Sequence, residues 1–381
     1  MTRPVTPEPP VPQKRRTLVE SPGMSVVDFR CRAHVEPLGP EEANSTHSIV
    51  FVRRGVFRRK RKGETLVADA NHVLFFNAGE LCRYSHPLPG GDECTILVVD
   101  GRRALELVGR HAPGHADDPD TPFRLGHGLA SPLAARLHYE LLALVRSEAP
   151  RLVLEDVVAE LADEAVGAAY RLWGVPTEQE SASTSARRRR RELVEAARLT
   201  LNDRLEHLPS LGEMAGQLGC SAFHLSRTFH RTAGLSLRAY VGRLRARRAA
   251  DRLAGGARDL TRLALELGYT DHSHFTNAFR AEWVSPLALP RPASASRVRP
   301  AQQLPSLPTG RELASAIDGI VERSRARASG GVSCRTASLP SLRRGAKTRQ
   351  PPRSVAWSSS SPTCTRAAPG TARRWPRRSR A

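Results

Sequence analysis

The side chains with the clearest chemistry are polar residues that lie opposite the apolar positions of two helical patterns. In the first pattern, Arg227 faces away from Leu225 and Phe229, and its planar guanidinium could hold guanine O6 and N7 through two hydrogen bonds. In the second, Asn277 could bind adenine in the same way, whereas Arg280 is better suited to a phosphate. Side chains of these types are suited to contact with double-stranded DNA. For Arg227, a phosphate contact or a solvated charge stays open as the alternative.

The cysteines and the paired histidines do not indicate a metal site. The six cysteines are at least twelve residues apart and form no CxxC pair, so zinc held by paired cysteines is not expected. His272 and His274 are two residues apart and cannot share one helix face. We therefore predict scattered reduced thiols, no catalytic residue, no metal ligand and no cofactor.

An internal repeat supplies the elements that would position these side chains. Each copy has apolar residues at i, i+3, i+4 and i+7, then a glycine, then a second helical pattern. A tight turn after a helix favours glycine, because glycine tolerates positive φ, and the turn lets the second helix project into a major groove. The repeat predicts two helix-turn-helix units. The matching positions, offset by 49 residues, are Leu211, Met214, Ala215, Leu218 and Gly219, and Leu260, Leu263, Ala264, Leu267 and Gly268.

One continuous helix is predicted between the two copies. It begins after the capping Ser236 and ends at Gly255 and Gly256. Its length, about 28 Å at 1.5 Å per residue, approaches one turn of DNA, about 34 Å, so it could hold two recognition helices in successive major grooves. Its arginines are expected to form a solvated outer face, with one or two on phosphate. They are Arg238, Arg243, Arg245, Arg247, Arg248 and Arg252.

About a hundred residues of this region resemble the DNA-binding domain of AraC/XylS-type transcription regulators. The first half of the resemblance lies in Met214-Ala215, Gly219-Cys220-Ser221, Leu225-Ser226-Arg227, Phe229, Gly234-Leu235-Ser236, Tyr240, Arg243 and Arg245. The second half lies in Leu263-Ala264, Leu267-Gly268-Tyr269, His272-Ser273-His274-Phe275, Phe279-Arg280 and Ser285-Pro286. The resemblance implies sequence-specific binding of promoter DNA.

The resemblance and the outer-face positions together give one predicted DNA-contact set. Phe223 could touch a thymine methyl group, or it could pack on the turn between the two helices. The DNA-contact set is Ala222, Phe223, Ser226, Arg227, His230, Arg231, His272, His274, Asn277 and Arg280.

The N-terminal half carries short β-type runs separated by turn signals, a spacing that predicts a small barrel or jelly roll. Two helices are expected to follow, at 133–145 after Ser131 and Pro132 and at 152–172. Their apolar stripes could form a homodimer contact or pack on the barrel. The predicted strands are 48–52, 65–68, 73–76 and 95–99.

Segment 45–99 resembles the cupin-type sensor barrel that often precedes such a DNA-binding domain. The resemblance lies in Asn77-Ala78-Gly79-Glu80 and Arg83-Tyr84-Ser85-His86-Pro87. It implies a small-molecule effector, whose contacts the sequence leaves unknown. A metal-dependent enzyme of this kind needs three or four ligands that converge inside the barrel, and an HxH pair is missing because Ser48 and Ile49 follow His47. The candidate ligands are His47, His72, Glu80 and His86.

Charge is unevenly distributed along the 381 residues. The net charge is +21, of which residues 1–186 contribute −3, 187–290 contribute +8 and 291–381 contribute +16. The last segment is rich in Arg, Ser and Pro and is predicted to be disordered, either as a nonspecific nucleic-acid tail or as an extension without function. The basic cluster at 53–62 is expected to be an exposed hairpin.

These observations predict an α+β multidomain chain with five parts. No run of 18 apolar residues and no secretory signal occurs, which favours a cytoplasmic protein without a membrane partner. The parts are a disordered leader at 1–20, a small cupin-like β-barrel with helices at 21–180, a basic linker at 181–191, an all-α tandem helix-turn-helix domain at 192–290, and a disordered basic tail at 291–381.

The predicted function is a DNA-binding transcription regulator controlled by a small-molecule effector, and not an enzyme. Its expected partners are promoter DNA, the effector and a second copy of the chain. Two alternatives stay open: a metal-dependent cupin enzyme fused to a DNA-binding unit, and a nucleoid-type protein that binds DNA through segment 291–381 without sequence preference.

Overall fold

Short runs of β-branched and aromatic residues form two antiparallel sheets that pack face to face. The computed structural model describes residues 13–173, 185–255 and 257–283. One sheet has the strand order β1-β2-β9-β4-β7-β10 and the other β3-β8-β5-β6. The strands are β1 (Gln13–Ser21), β2 (Met24–Cys31), β3 (Glu42–Ala43), β4 (His47–Gly55), β5 (Phe57–Arg61), β6 (Glu64–Ala68), β7 (His72–Phe76), β8 (Leu81–Ser85), β9 (Asp92–Val99) and β10 (His127–Leu129).

Alternation along the central strands gives the larger sheet two buried faces. On β4, Val50 and Val52 point between the two sheets, where they pack with Phe57 of the smaller sheet. Ile49 and Phe51 point to the other face, which helices cover. The barrel interior and the sheet–helix layer are therefore two separate apolar cores.

Three helices, α1 (Gly101–His111), α2 (Pro132–Arg146) and α3 (Arg151–Trp173), cover the outer face of the larger sheet. Ser131 caps α2 by accepting a hydrogen bond from the Ala134 amide at 3.0 Å, and Pro132 occupies the first turn. The apolar stripes of α2 and α3 are buried in this layer, which is the second of the two roles that the sequence allowed them.

The remaining helices form an all-α region after the barrel. Ser210, Ser221, Ser236 and Asp259 each cap a helix with a side-chain oxygen, so local sequence defines most of the helix starts. The helices are α4 (Ser185–Asp203), α5 (Leu211–Gln217), α6 (Ala222–Ala233), α7 (Leu237–Ala254), α8 (Leu260–Glu266) and α9 (His272–Trp283).

The predicted leader and linker need correction. Residues 13–20 do not form a disordered leader, because Gln13–Ser21 is an edge strand that pairs with β2. Residues 185–191 do not form an irregular linker, because they are the first turns of α4. Arginine is a good helix former, and Arg188 pairs with Glu192 one turn later at 2.8 Å.

The basic cluster at 53–62 forms a hairpin, but it is not uniformly exposed. Lys62 and Gly63 both adopt positive φ in the two-residue turn between β5 and β6. Arg53 and Arg59 are buried, contrary to the prediction. Arg53 pairs with Asp28 across the sheet, and Arg59 stacks on Phe76 and donates to two backbone carbonyls.

The predicted α+β fold class is confirmed: two packed antiparallel sheets with covering helices are followed by an all-α region that contains two helix-turn-helix units. In the described ranges, no helix is long and apolar enough to cross a membrane. The predicted tail at 291–381 lies outside the described residues.

Candidate nucleic-acid interface

The turns of the two helix-turn-helix units have the same construction. Gly219 and Gly268 adopt φ values of +67° and +76°. In the first unit the Cys220 amide donates to the Ala215 carbonyl at 2.9 Å, and in the second the matching pair is 3.0 Å apart. These bonds close the end of α5 and α8 and set the direction in which α6 and α9 leave.

Each second helix is fixed by an apolar inner face. Leu225 and Phe229 of α6 are buried with Met214 of α5. Phe275 and Phe279 of α9 are buried with the corresponding residues of α8. Because the inner faces are buried, the opposite faces of α6 and α9 are left to solvent.

The outer face of α6 is positively charged and uncompensated. Its sequence contains no acidic residue, and no carboxylate of the described residues forms an ion pair with Arg227 or Arg231. Both arginines and His230 are exposed. Phe223 is 73% exposed, so it does not pack on the turn. Ala222 and Ser226 are half-buried on the same helix.

The outer face of α9 is less open. Asn277 is exposed, whereas His272 and Arg280 are half-buried. His274 is exposed but turned back, with Nδ1 3.2 Å from Thr270 Oγ1 and its ring against Tyr269. The structure therefore leaves Asn277 as the most accessible hydrogen-bonding side chain of the predicted set on this helix.

Of the six arginines of α7 that the sequence predicted to form a solvated face, only Arg238 and Arg252 are exposed. Arg247 is 1% exposed. Arg243 pairs with Glu282 of α9 at 3.6 Å, and Arg245 stacks on Tyr269. Residue type and helical period alone could not reveal this, because the partners lie on elements distant in sequence.

Arg247 links α7 to the barrel through buried hydrogen bonds. Its guanidinium donates to the carbonyls of Ala70 at 2.8 Å and Ala130 at 2.6 Å, and to Asn71 Oδ1 at 3.0 Å. Tyr139 of α2 donates in turn to the Arg247 carbonyl at 3.1 Å. Four groups of the β-domain and its covering helices thus contact one residue of the helix-turn-helix region.

A second buried contact, the Asp69 cluster, joins the same two parts. It consists of Asp69 and His72 from the barrel, Asn202 from α4 and Tyr240 from α7. Asp69 accepts hydrogen bonds from Asn202 Nδ2 and Tyr240 Oη, both at 2.7 Å, and lies 2.9 Å from His72 Nδ1. Burial alone would raise the pKa of Asp69, but His72 and these hydrogen bonds lower it below its usual range.

Sequence reasoning missed the Asp69 cluster and the Arg247 contacts. In the sequence, Asp69 and Asn71 resemble ordinary turn residues between two strands. Their hydrogen-bond partners lie more than a hundred positions later. A buried tyrosine on the linker helix was the one available signal, since a buried hydroxyl needs a partner.

The four candidate metal ligands do not converge. His47 Nδ1 accepts from the Ala78 amide at 3.2 Å, and Glu80 is bound by Arg61 at 2.6 Å. His72 belongs to the Asp69 cluster, and His86 lies 2.8 Å from Asp92. Burial lowers the pKa of His86, but hydrogen bonds to Asp92 and Cys31 more than offset it and raise the pKa to about 9.

A groove opens at one end of the barrel. Its volume is about 710 Å³, and its lining includes the apolar Met24 and Val99 and the polar His47 and Arg151. This volume lies within the range of small-molecule sites.

Comparison with known proteins identifies the domain at the end of the described chain. Residues 214–285 match the family described as "Helix-turn-helix domain". No curated protein matches the chain at a significant level.

Solved structures that match this chain share little sequence with it. An apo form of ToxT from Vibrio cholerae, in which one lysine is replaced by alanine, is 12% identical, with 69% of this chain and 94% of that chain covered and a TM-score of 0.31. ToxT from Vibrio cholerae with bound unsaturated fatty acid is 11% identical, with 69% and 91% covered and a TM-score of 0.28. KdgF from Halomonas is 15% identical, with 25% and 84% covered and a TM-score of 0.21. TM-scores of this size do not justify assigning the ligand or activity of these proteins to this chain.

Proposed function

We propose that this chain, which carries an AraC-type helix-turn-helix domain at residues 214–285, is a DNA-binding transcription regulator that responds to a small molecule. The observation that carries the proposal is the outer face of α6, where exposed Arg227, His230 and Arg231 have no acidic neighbour on the helix. Such a face suits the negative potential of a DNA groove. A regulator of this kind acts in the cytoplasm of a bacterial cell.

This proposal assigns a role in DNA binding to individual members of the predicted DNA-contact set. Arg227 reads guanine, Asn277 reads adenine, and Arg231 and Arg280 hold phosphates. Phe223, as an exposed aromatic at the start of α6, contacts a thymine methyl group. His274 must rotate away from Thr270 before it can reach DNA.

The effector site is the groove at the barrel end. Met24 and Val99 supply apolar surface there, and His47 and Arg151 supply polar groups that orient a ligand. Binding there is transmitted through the sheet to the Asp69 cluster and the Arg247 contacts, which touch α7 directly.

Footprinting on the DNA that flanks its own gene tests the proposal. We expect two protected segments on one face of the duplex, about 10 base pairs apart, and much weaker binding to random DNA. The variant Arg227→Ala should bind the operator about five- to 150-fold more weakly, which corresponds to a loss of about 1–3 kcal/mol of binding free energy.

The matched control is Arg102→Ala, which removes an equal charge from the exposed surface of α1 on the sensor part. Operator binding by this variant should equal that of the unaltered chain. Equal affinity for operator and random DNA, or equal loss in both variants, would contradict sequence-specific recognition by α6.

A further inference from the structure

Three metal-ligating side chains from distant parts of the sequence meet at the other end of the barrel. Cys31 is the last residue of β2 and Asp92 the first residue of β9, and the two are direct cross-strand partners. His86 follows β8 and is held by a bridge to Val35. Cys31 and Asp92 are buried, at 1% and 2% exposure, and the His86 side chain is mostly covered.

The donor atoms of these residues are already close to a coordination geometry. One atom each from Cys31, His86 and Asp92 lies within 4.8 Å of both others, and His86 Nε2 is 2.8 Å from Asp92 Oδ1. In a tetrahedral zinc site with bonds of about 2.0–2.3 Å, neighbouring donors are roughly 3.3–3.8 Å apart. Rotamer adjustments of about an ångström would complete the site.

The backbone around the three residues is closely packed. Gly91 adopts φ +70°, and a Cβ there would lie 2.8 Å from the carbonyl carbon of Cys31 and 3.1 Å from the Ala33 amide. Only glycine permits this approach, so the chain before Asp92 is pressed against the end of β2. The relative placement of Cys31 and Asp92 is therefore set by the fold before any ion binds.

We propose that Cys31, His86 and Asp92 bind a Zn²⁺ ion that joins the two sheets at this end of the barrel. A thiolate, an imidazole and a carboxylate together form a donor set that zinc accepts and that Mg²⁺ or Ca²⁺ does not favour. With three protein ligands, the fourth position is open to water or to a donor atom of a small molecule.

The experiment uses the untagged full chain, stripped with a chelator. Separate samples are titrated with Zn²⁺ and with Co²⁺. We expect one equivalent of either ion, a rise in melting temperature with Zn²⁺, and the absorption of tetrahedral Co²⁺ with a thiolate charge-transfer band. Cys31→Ser should abolish the charge-transfer band and lower Zn²⁺ affinity at least about tenfold.

Two further variants separate ligation from folding. His86→Gln changes the least buried of the three ligands, so it should keep the circular dichroism spectrum while losing the same affinity. Cys82→Ser changes another buried barrel cysteine outside the group, so it should bind like the unaltered chain. No binding by the stripped chain at micromolar Zn²⁺, or an unchanged Co²⁺ spectrum in Cys31→Ser, would overturn the proposal.

Discussion

His138 of α2 is a buried ionisable side chain at the boundary between the larger sheet and its covering helices. Its Nε2 lies 2.8 Å from Thr95 Oγ1, and its ring stacks on Phe51 with centroids 4.9 Å apart. Burial lowers the pKa of His138 to about 3, helped by the charges of Arg53 and Arg247. This histidine is therefore neutral in the folded chain at every pH near neutrality.

We expect the free energy of unfolding to fall as the pH drops from about 6.5 toward 3. In this window the unfolded chain protonates His138, whose ordinary pKa is about 6.5, and the folded chain does not, so stability rises with pH. In His138→Gln, the slope should shrink by up to about 1.4 kcal/mol per pH unit. Urea unfolding at several pH values measures this slope.

The matched control is His207→Gln, which alters an exposed histidine of the α-helical region. The slope of the free energy of unfolding against pH should change less in His207→Gln than in His138→Gln. An identical pH dependence in His138→Gln and the unaltered chain would show that His138 titrates normally in the fold.

Sequence reasoning could separate inner from outer helix faces, but it could not separate one arginine from another. Arg227 and Arg247 both occupy polar positions of helical patterns. One is exposed on α6 and the other is buried against the barrel, because its acceptors come from residues 70, 71 and 130. Helical period describes one helix alone, whereas burial depends on what packs against it.

At the scale of elements, the two repeat glycines offer a comparison within one chain. A Cβ at Gly219 would meet nothing within 4 Å, whereas a Cβ at Gly268 would lie 2.7 Å from the Glu206 carbonyl and press on Arg245. Both positions have positive φ. The two turns share a conformation and differ in their surroundings.

We expect Gly219→Ala to cost about 1–2 kcal/mol of stability, the usual penalty for an L-residue in the left-handed region. Gly268→Ala should cost about 1–3 kcal/mol more, because the added methyl displaces backbone as well. Urea unfolding followed by circular dichroism compares them. Equal losses in the two variants would contradict the close contact at Gly268.

Element prediction worked where the pattern was periodic and failed where packing overrode composition. The helices of the repeat are present because their apolar residues recur at the helical period, and the four predicted strands are present as short β-branched or aromatic runs. Strand β5 was expected only as part of an exposed hairpin because four of its five residues are basic, and pairing with β6 and β8 holds it in the sheet. Strand β1 was missed for the same reason: its partner, not its composition, makes it a strand.

At the scale of the whole molecule, buried hydrogen bonds join the β-domain to the helix-turn-helix region. Removing the Arg247 side chain would leave the Ala70 and Ala130 carbonyls and Asn71 without their donor. Unpartnered buried groups of this kind cost about 1–3 kcal/mol each. The contacts therefore couple the stability of the two parts.

We expect the unaltered chain to unfold in one calorimetric transition over both parts, and Arg247→Met to unfold in two. Arg252→Met is the control, since Arg252 lies on the same helix but is half-exposed and pairs with Glu266. It should keep one transition. Two transitions in the unaltered chain, or one unshifted transition in Arg247→Met, would contradict coupling through Arg247.

The Asp69 cluster bears on how such chains can be recombined. Each of its hydrogen bonds from Asn202 and Tyr240 ends on a carboxylate supplied by the β6–β7 turn of the barrel. A chimera that keeps α4 and α7 but takes its barrel from another protein would bury Tyr240 and Asn202 without that acceptor. Exchange of the N-terminal β-domain is therefore limited to donors with an acidic residue in this turn, and the turn, not the linker, is the boundary that an engineer must preserve.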